Sequence, residues 1–161
     1  MLCITDANIW IDLDVARLVR HVFSLSITWA MPDLILEELD TVDVGWLLRQ
    51  GVVSHPLSSA QVERTVALAA RYRRPSEADL AALVLAADKG AVLVTGDGAL
   101  REAALQEGVE VHGILWLLDR MIATAVIDAS TAADGLQRML DHGARLPRPD
   151  VDERFRSWRD T

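Results

Sequence analysis

The chain predicts an α/β fold of three layers, α/β/α, with helices on both faces of a central parallel sheet. Three observations carry this. Short apolar segments alternate with segments of helical periodicity along the chain. The strand candidates are apolar throughout, as strands covered on both faces are. Acidic residues stand just past several strand ends, at the carboxyl edge where parallel sheets keep their working crevice.

Taken in order, "LCIT" at 2–5 is a short buried strand ending at Asp6. Ile9, Leu13, Ala16, Val19 and Phe23 keep helical spacing and predict a helix reaching Phe23. "SITWAM" is a second strand closed by Pro32. "LILEELDTVDVGWLL" then predicts a mostly helical stretch with Leu39, Val42 and Trp46 as its core stripe, and "GVVSH" a third short strand. "SAQVERTVALAARYRR" is an amphipathic helix that must stop before Pro75, since the residue preceding proline disfavours the helical region. "SEADLAALVLAADKG" is the clearest helix, opened by Ser76 and closed at Gly90, and apolar nearly all round. "AVLVT" follows as a β-branched strand, then a helix in "GALREAALQEG" and a short strand in "VEV". Ile114, Leu117, Leu118, Met121, Ile122 and Ala125 repeat at helical spacing. A further helix carries Ala133, Leu136 and Leu140 to Gly143. The tail "RLPRPDVDERFRSWRDT" is proline-broken and charged, with one short helix near Phe155. Arg145, Arg148, Arg154, Arg156 and Arg159 are balanced there by Asp141, Asp150, Asp152, Glu153 and Asp160, which suggests a surface or partner-docking segment.

At 161 residues the chain fits one domain with a sizeable core: a core over about 1–127 and a helical C-terminal extension over about 128–161. Cys3 is the single cysteine, so no internal disulfide forms, and a reducing cytoplasm is the expected location. No apolar run approaches the roughly 20 residues that span a bilayer, and Asp6 and Asp12 interrupt any signal-peptide core. The net charge of −8 repels phosphate-bearing partners at long range, so a nucleic-acid partner requires cations or local arginines.

Asp6, Glu37, Glu38 and Asp97 follow strands, and Asp79 lies in the first turn of the clearest helix. Each has an ordinary explanation. Asp6 or Asn8 caps one helix and Asp97 another, Ser76 and Asp79 make a capping box, and the glutamates suit a helix N-terminus. Together they say more. Strand exits of a parallel sheet converge on one edge, and carboxylates crowded there raise one another's pKa at about 1.4 kcal/mol per unit. A divalent cation relieves that crowding, and Mg²⁺ or Mn²⁺ prefers such oxygen ligands. A His/Cys zinc site is not available, because His21, His55, His112 and His142 are scattered.

"ITDANIWIDL" resembles the opening of PIN domains, where a strand delivers an Asp into a D-x-N/S motif. "MPDLILEEL" resembles the segment supplying the family's glutamate, and "SEADLAALVLAADKGAVLVTGDGAL" the block carrying its third and fourth acids. "VEVHGILWLLDRMIATAVI" and "LQRMLDHGARLP" are similar to the C-terminal part of a subgroup placed with VapC-like toxins. The resemblance spans nearly the whole chain in order. It implies a PIN-like fold and a metal-dependent endoribonuclease using Mg²⁺ or Mn²⁺, with Asp6, Glu38, Asp79 and Asp97 as catalytic and metal-binding acids. Asn8 and Thr95 match supporting polar positions. Glu37 competes with Glu38 for the glutamate role, and Ser76 supports Asp79. A toxin further implies a small antitoxin partner and a homodimer.

Arg71, Arg73 and Arg74 around Tyr72 form the one cluster where basic residues are unopposed, suited to the phosphates and bases of an RNA strand. A solvated helix end is the equally simple account. Two rival functions use the same residues. A haloacid-dehalogenase-like phosphatase or a receiver domain also places Asp at a strand exit, but Asn8 replaces the second Asp of the former. Lys89, the single lysine, also precedes its strand. A PIN-like binding module without catalysis is the other.

Overall fold

β1 (Leu2–Thr5) is the middle strand of a five-stranded sheet in the order β3-β2-β1-β4-β5, every neighbouring pair parallel. The partners are β2 (Thr28–Pro32), β3 (Val53–His55), β4 (Val92–Val94) and β5 (Val111–His112). The structure is a computed structural model and describes residues 1–159; the Asp160 of the tail's charge balance lies outside the described residues.

Side chains leave a strand on alternate faces, and both faces here are buried. Cys3, Trp29, Met31, Val92 and Val94 pack on one side with α1 (Ala7–Val15), α7 (Ile114–Ala123) and α8 (Ala129–Asp141). Ile4, Ala30, Leu93 and Val111 pack on the other with α5 (Glu77–Lys89) and α6 (Gly98–Gln106), and α4 (Ser59–Arg71) lies against α5. The result is the expected three-layer α/β/α fold around a parallel sheet. α5 is buried nearly all round because it touches β1, β2 and β4 inward and α4 outward. This explains its apolar composition.

Four local expectations need correction. The first helix ends at Val15, because Arg17 turns the chain in the left-handed region (φ 62°), and only a short 3₁₀ turn at His21–Ser24 follows. The turn puts Leu18 against α8, where Gly135 makes room: a Cβ there would lie 2.7 Å from Leu18 Cδ1. The long helix expected from Leu34 is two short ones, α2 (Asp33–Leu36) and α3 (Val44–Arg49). Asp43 starts α3 by accepting the Trp46 N–H at 2.8 Å, while Leu39 and Val42 reach the core from the connecting loop. The last strand pairs at Val111–His112 rather than over "VEV". Finally, the tail is mostly α9 (Arg148–Arg159), with Pro149 in the first turn, where a missing N–H costs nothing. α9 packs on α8, buries Val151 and Trp158, and its Arg154 grips Asp119 Oδ2 at 3.2 and 3.0 Å.

Among the described residues, no helix is long and apolar enough to cross a membrane.

Candidate active site

The strand order reverses between β1 and β4, and open parallel sheets leave their crevice at such a switch. Asp6 and Thr95 emerge there side by side. Asp6 is 0% exposed, and its two oxygens are both engaged: Oδ1 accepts the Ile9 N–H at 3.1 Å, capping α1, and Oδ2 accepts the Thr95 hydroxyl. Thr95 Oγ1 in turn accepts the Asp97 N–H at 2.9 Å. Asp97 Oδ1 caps α6 through the Leu100 N–H at 2.7 Å, and among the described residues Oδ2 has no hydrogen bond. Capping and site-building are therefore compatible: one hydrogen-bonded chain, Asp6–Thr95–Asp97, fixes two strand exits against each other.

Asp79 joins from the start of α5. Ser76 and Asp79 form the expected capping box, with both bonds at 3.1 Å. Burial raises the Asp79 carboxyl above its ordinary value, and the Asp97 charge raises it further. Burial pushes Asp6 up to about 7; its Thr95 and Ile9 donors oppose the shift, and the Asp79 charge adds to it. Glu38, just past α2 on an exposed stretch, is also raised, first by burial and then by Asp79. All four acids thus share one field with Asp79 at its hub. Glu37 is exposed and ends α2 through its backbone, so Glu38 is the glutamate tied electrostatically to Asp79.

A cleft of about 570 Å³ opens here, lined by Asn8, Asp12, Arg74, Asp97, His142 and Arg145 among others. Asp12 is the residue that sequence reasoning missed. It sits one helical turn after Asn8, on the same face of α1, and its Oδ2 stands 3.5 Å from where a Cβ on Gly96 would be. Burial raises its carboxyl to about 6. The i, i+4 spacing from Asn8 was the available signal.

Among the arginines, Arg74 lines this cleft, whereas Arg71 pairs with Glu107 at 3.0 Å and lies over Tyr72 at 5.2 Å. The cluster is therefore not unopposed. Arg73 is exposed and lines a separate cleft with Tyr72.

The donor set suits a hard divalent ion: it is all carboxylate oxygen, and the pKa values of three members are raised, first by burial and further by a neighbouring carboxylate. Among the described residues, no three His, Cys, Asp or Glu side chains stand together as a group able to hold a metal ion. An ion here would have few direct protein ligands and several waters, the usual arrangement for Mg²⁺.

Together these features define an all-parallel α/β protein with carboxylates gathered at its topological switch. The chain belongs to the PIN-domain family, whose model, described as a PIN domain, matches residues 2–160. Such domains are typically metal-dependent nucleases. The fold is similar to that of a PilT N-terminus domain protein from the hyperthermophilic archaeon Sulfolobus solfataricus P2. The TM-score is 0.51 at 15% identity, over 74% of this chain and 92% of that one. No curated protein matches the chain.

The raised Asp6 carboxyl has a consequence for stability. Its folded value of about 7 lies above the ordinary 3.8, so between these the folded state holds a proton that the unfolded state has lost. The metal-free protein is then expected to lose stability as pH rises from about 4 to 7, and to level off above that. Mn²⁺ binds the ionised form and should flatten the decline. Urea unfolding at several pH values, in EDTA and in Mn²⁺, checks both; stability that rises over this window in EDTA contradicts the assignment.

Proposed function

We propose that the chain is a metal-dependent endoribonuclease, with Asp6, Glu38, Asp79 and Asp97 holding Mg²⁺ or Mn²⁺ at the switch point. The observation that carries this is the Asp6–Thr95–Asp97 hydrogen-bonded chain, with Asp79 acting electrostatically on Asp6 and Asp97 acting on Asp79. Bound there, the ion supplies a water of lowered pKa and positive charge for the phosphate oxygens. The chain's residues supply the positioning. Thr95 holds the Asp6 carboxylate in one orientation and ties it to the Asp97 backbone; the Ser76 backbone N–H donates to the Asp79 carboxylate, and the Ser76 hydroxyl accepts the Asp79 N–H. Asp97 keeps one oxygen uncommitted while the other caps α6. Asn8 lines the cleft beside them.

The reading includes a VapC-like toxin acting in the cytoplasm as a homodimer and silenced by a small antitoxin, whose cation would find the acidic crevice a natural docking place. Residues 1–161 are one domain, with 128–161 as its C-terminal extension. The expected result is cleavage of end-labelled single-stranded RNA in Mn²⁺ or Mg²⁺, abolished by EDTA and restored by excess Mn²⁺. Full cleavage in EDTA contradicts the proposal.

A further inference from the structure

We propose that the loop after α8 forms one wall of a channel for single-stranded RNA, in which Arg145 and Arg101 hold phosphates and the His112–Trp116 pair receives a base. This rests on the nuclease reading above and names the substrate path of that site.

A second cleft of about 490 Å³ adjoins the acidic one and shares Gly96, Gly98, Arg145 and Leu146 with it. It continues past Arg101 to His112 and Trp116. The two form one path from Asp97 to an aromatic surface. His112 and Trp116 stack with centroids 4.4 Å apart and planes 5° from parallel; Arg120 lies over Trp116 at 5.1 Å and Glu110 Oε1 meets His112 Nε2 at 2.9 Å, so the base takes the His112 face turned away from Trp116. Flat aromatic surface beside arginine is what single strands use, because every base has a π-face and every link a phosphate.

Arg101 reaches the path across Gly113. A Cβ on Gly113 would lie 2.5 Å from Arg101 Nη2, so glycine provides the room. The backbone start of α7 lies beside it without a side-chain cap, which adds N–H groups favourable to phosphate. Neither the Arg101 nor the Arg145 side chain has a hydrogen bond or ion pair among the described residues. Arg64, Arg71 and Arg154, by contrast, are paired with Asp88, Glu107 and Asp119. In a chain of net charge −8, two unpaired guanidinium groups in one cleft mark where an anion is wanted. Asp150 is the one carboxylate of that cleft's lining. Arg145 also belongs to the extension, so the loop between α8 and α9 completes the cleft. An acidic peptide would suit the arginines, but it has no use for the stacked rings.

The test titrates the full chain against a short fluorescein-labelled single-stranded RNA in EDTA, read by anisotropy over a salt series. Arg101→Gln and Arg145→Gln should each weaken binding about tenfold and lower the slope of log affinity against log salt by about 0.7 per lost phosphate contact. His112→Ala should weaken it about fivefold at unchanged slope. Arg71→Gln should change neither. Circular dichroism confirms that each variant is folded. Wild-type affinity in both arginine variants, equal affinity for duplex RNA, preference for a glutamate-rich peptide, or no RNA binding by the wild type each overturns the channel. Cleavage in Mn²⁺ is scored separately: a wild type that binds as described but never cleaves defeats the nuclease reading and leaves the channel standing.

Discussion

Replacing Asp97 by Asn is expected to lower metal-stimulated RNA cleavage by about 100- to 1,000-fold, the usual cost of losing one charged or polarising group at a reacting phosphate. The substitution isolates charge from structure. Asp97 caps α6 by accepting the Leu100 N–H at 2.7 Å, and Asn caps about as well as Asp. Thr95 receives the backbone N–H of residue 97, which the substitution leaves in place. Stability should therefore stay within about 0.5 kcal/mol of wild type. Asp97→Ala is the contrasting case: it removes cap and charge together and should cost about 1 kcal/mol as well as activity. Initial cleavage rates in Mn²⁺, paired with urea unfolding of the same samples, check both halves. Wild-type rates in Asp97→Asn would remove Asp97 from the site.

The largest effect on stability is expected at Trp10. Its side chain is fully buried, stacks on Phe23 with centroids 6.0 Å apart, meets Trp29 edge-on at 5.8 Å, and donates from Nε1 to Thr5 Oγ1 at 2.8 Å. Trp10→Ala leaves a cavity against β2 and the 3₁₀ turn and strands the buried Thr5 hydroxyl, for a cost of about 3–5 kcal/mol. In a chain of this length that lowers the melting temperature by about 6–20 °C. Thr5 directly precedes Asp6, and α1 carries Asn8 and Asp12, so the loss of packing also loosens the acidic edge. Trp10→Phe keeps a ring in place and should cost less. Thermal unfolding followed by circular dichroism decides; a melting temperature unchanged in Trp10→Ala would contradict the packing described.

Much of the fold was legible because its patterns are local. α5 announces itself by a capping box, Ser76 with Asp79, and an unbroken apolar body; β4 does so by a run of buried branched residues. The sheet's parallel order followed from strands apolar on both faces. What escaped depends on distant packing. Nothing in Arg17 marks a left-handed turn, and only the close approach of Leu18 to Gly135, far along the chain, rewards it. Leu39 and Val42 mimicked a helical stripe, although the core they fill also accepts side chains from a loop. Pro147 and Pro149 looked like breakers, yet proline just before and just inside a helix start is compatible with α9.

The acids were legible by a different route. Asp6, Asp79 and Asp97 each follow a strand or open a helix, and the topology gathers such positions at one edge. That Glu38 rather than Glu37 feels the Asp79 charge depends on packing that no local pattern in the sequence encodes. Asp12 belongs to the cleft through the approach of α1 to Gly96. Arg71 looked free because its partner, Glu107, lies on the far side of three intervening elements, α5, β4 and α6.

Anomalous scattering from a crystal soaked in Mn²⁺ locates the ion and its ligands without relying on activity. An anomalous peak is expected beside Asp97, close to Asp6 and Asp79 and with Glu38 near it. An empty crevice at saturating Mn²⁺, or a peak elsewhere on the surface, would contradict the proposed metal site.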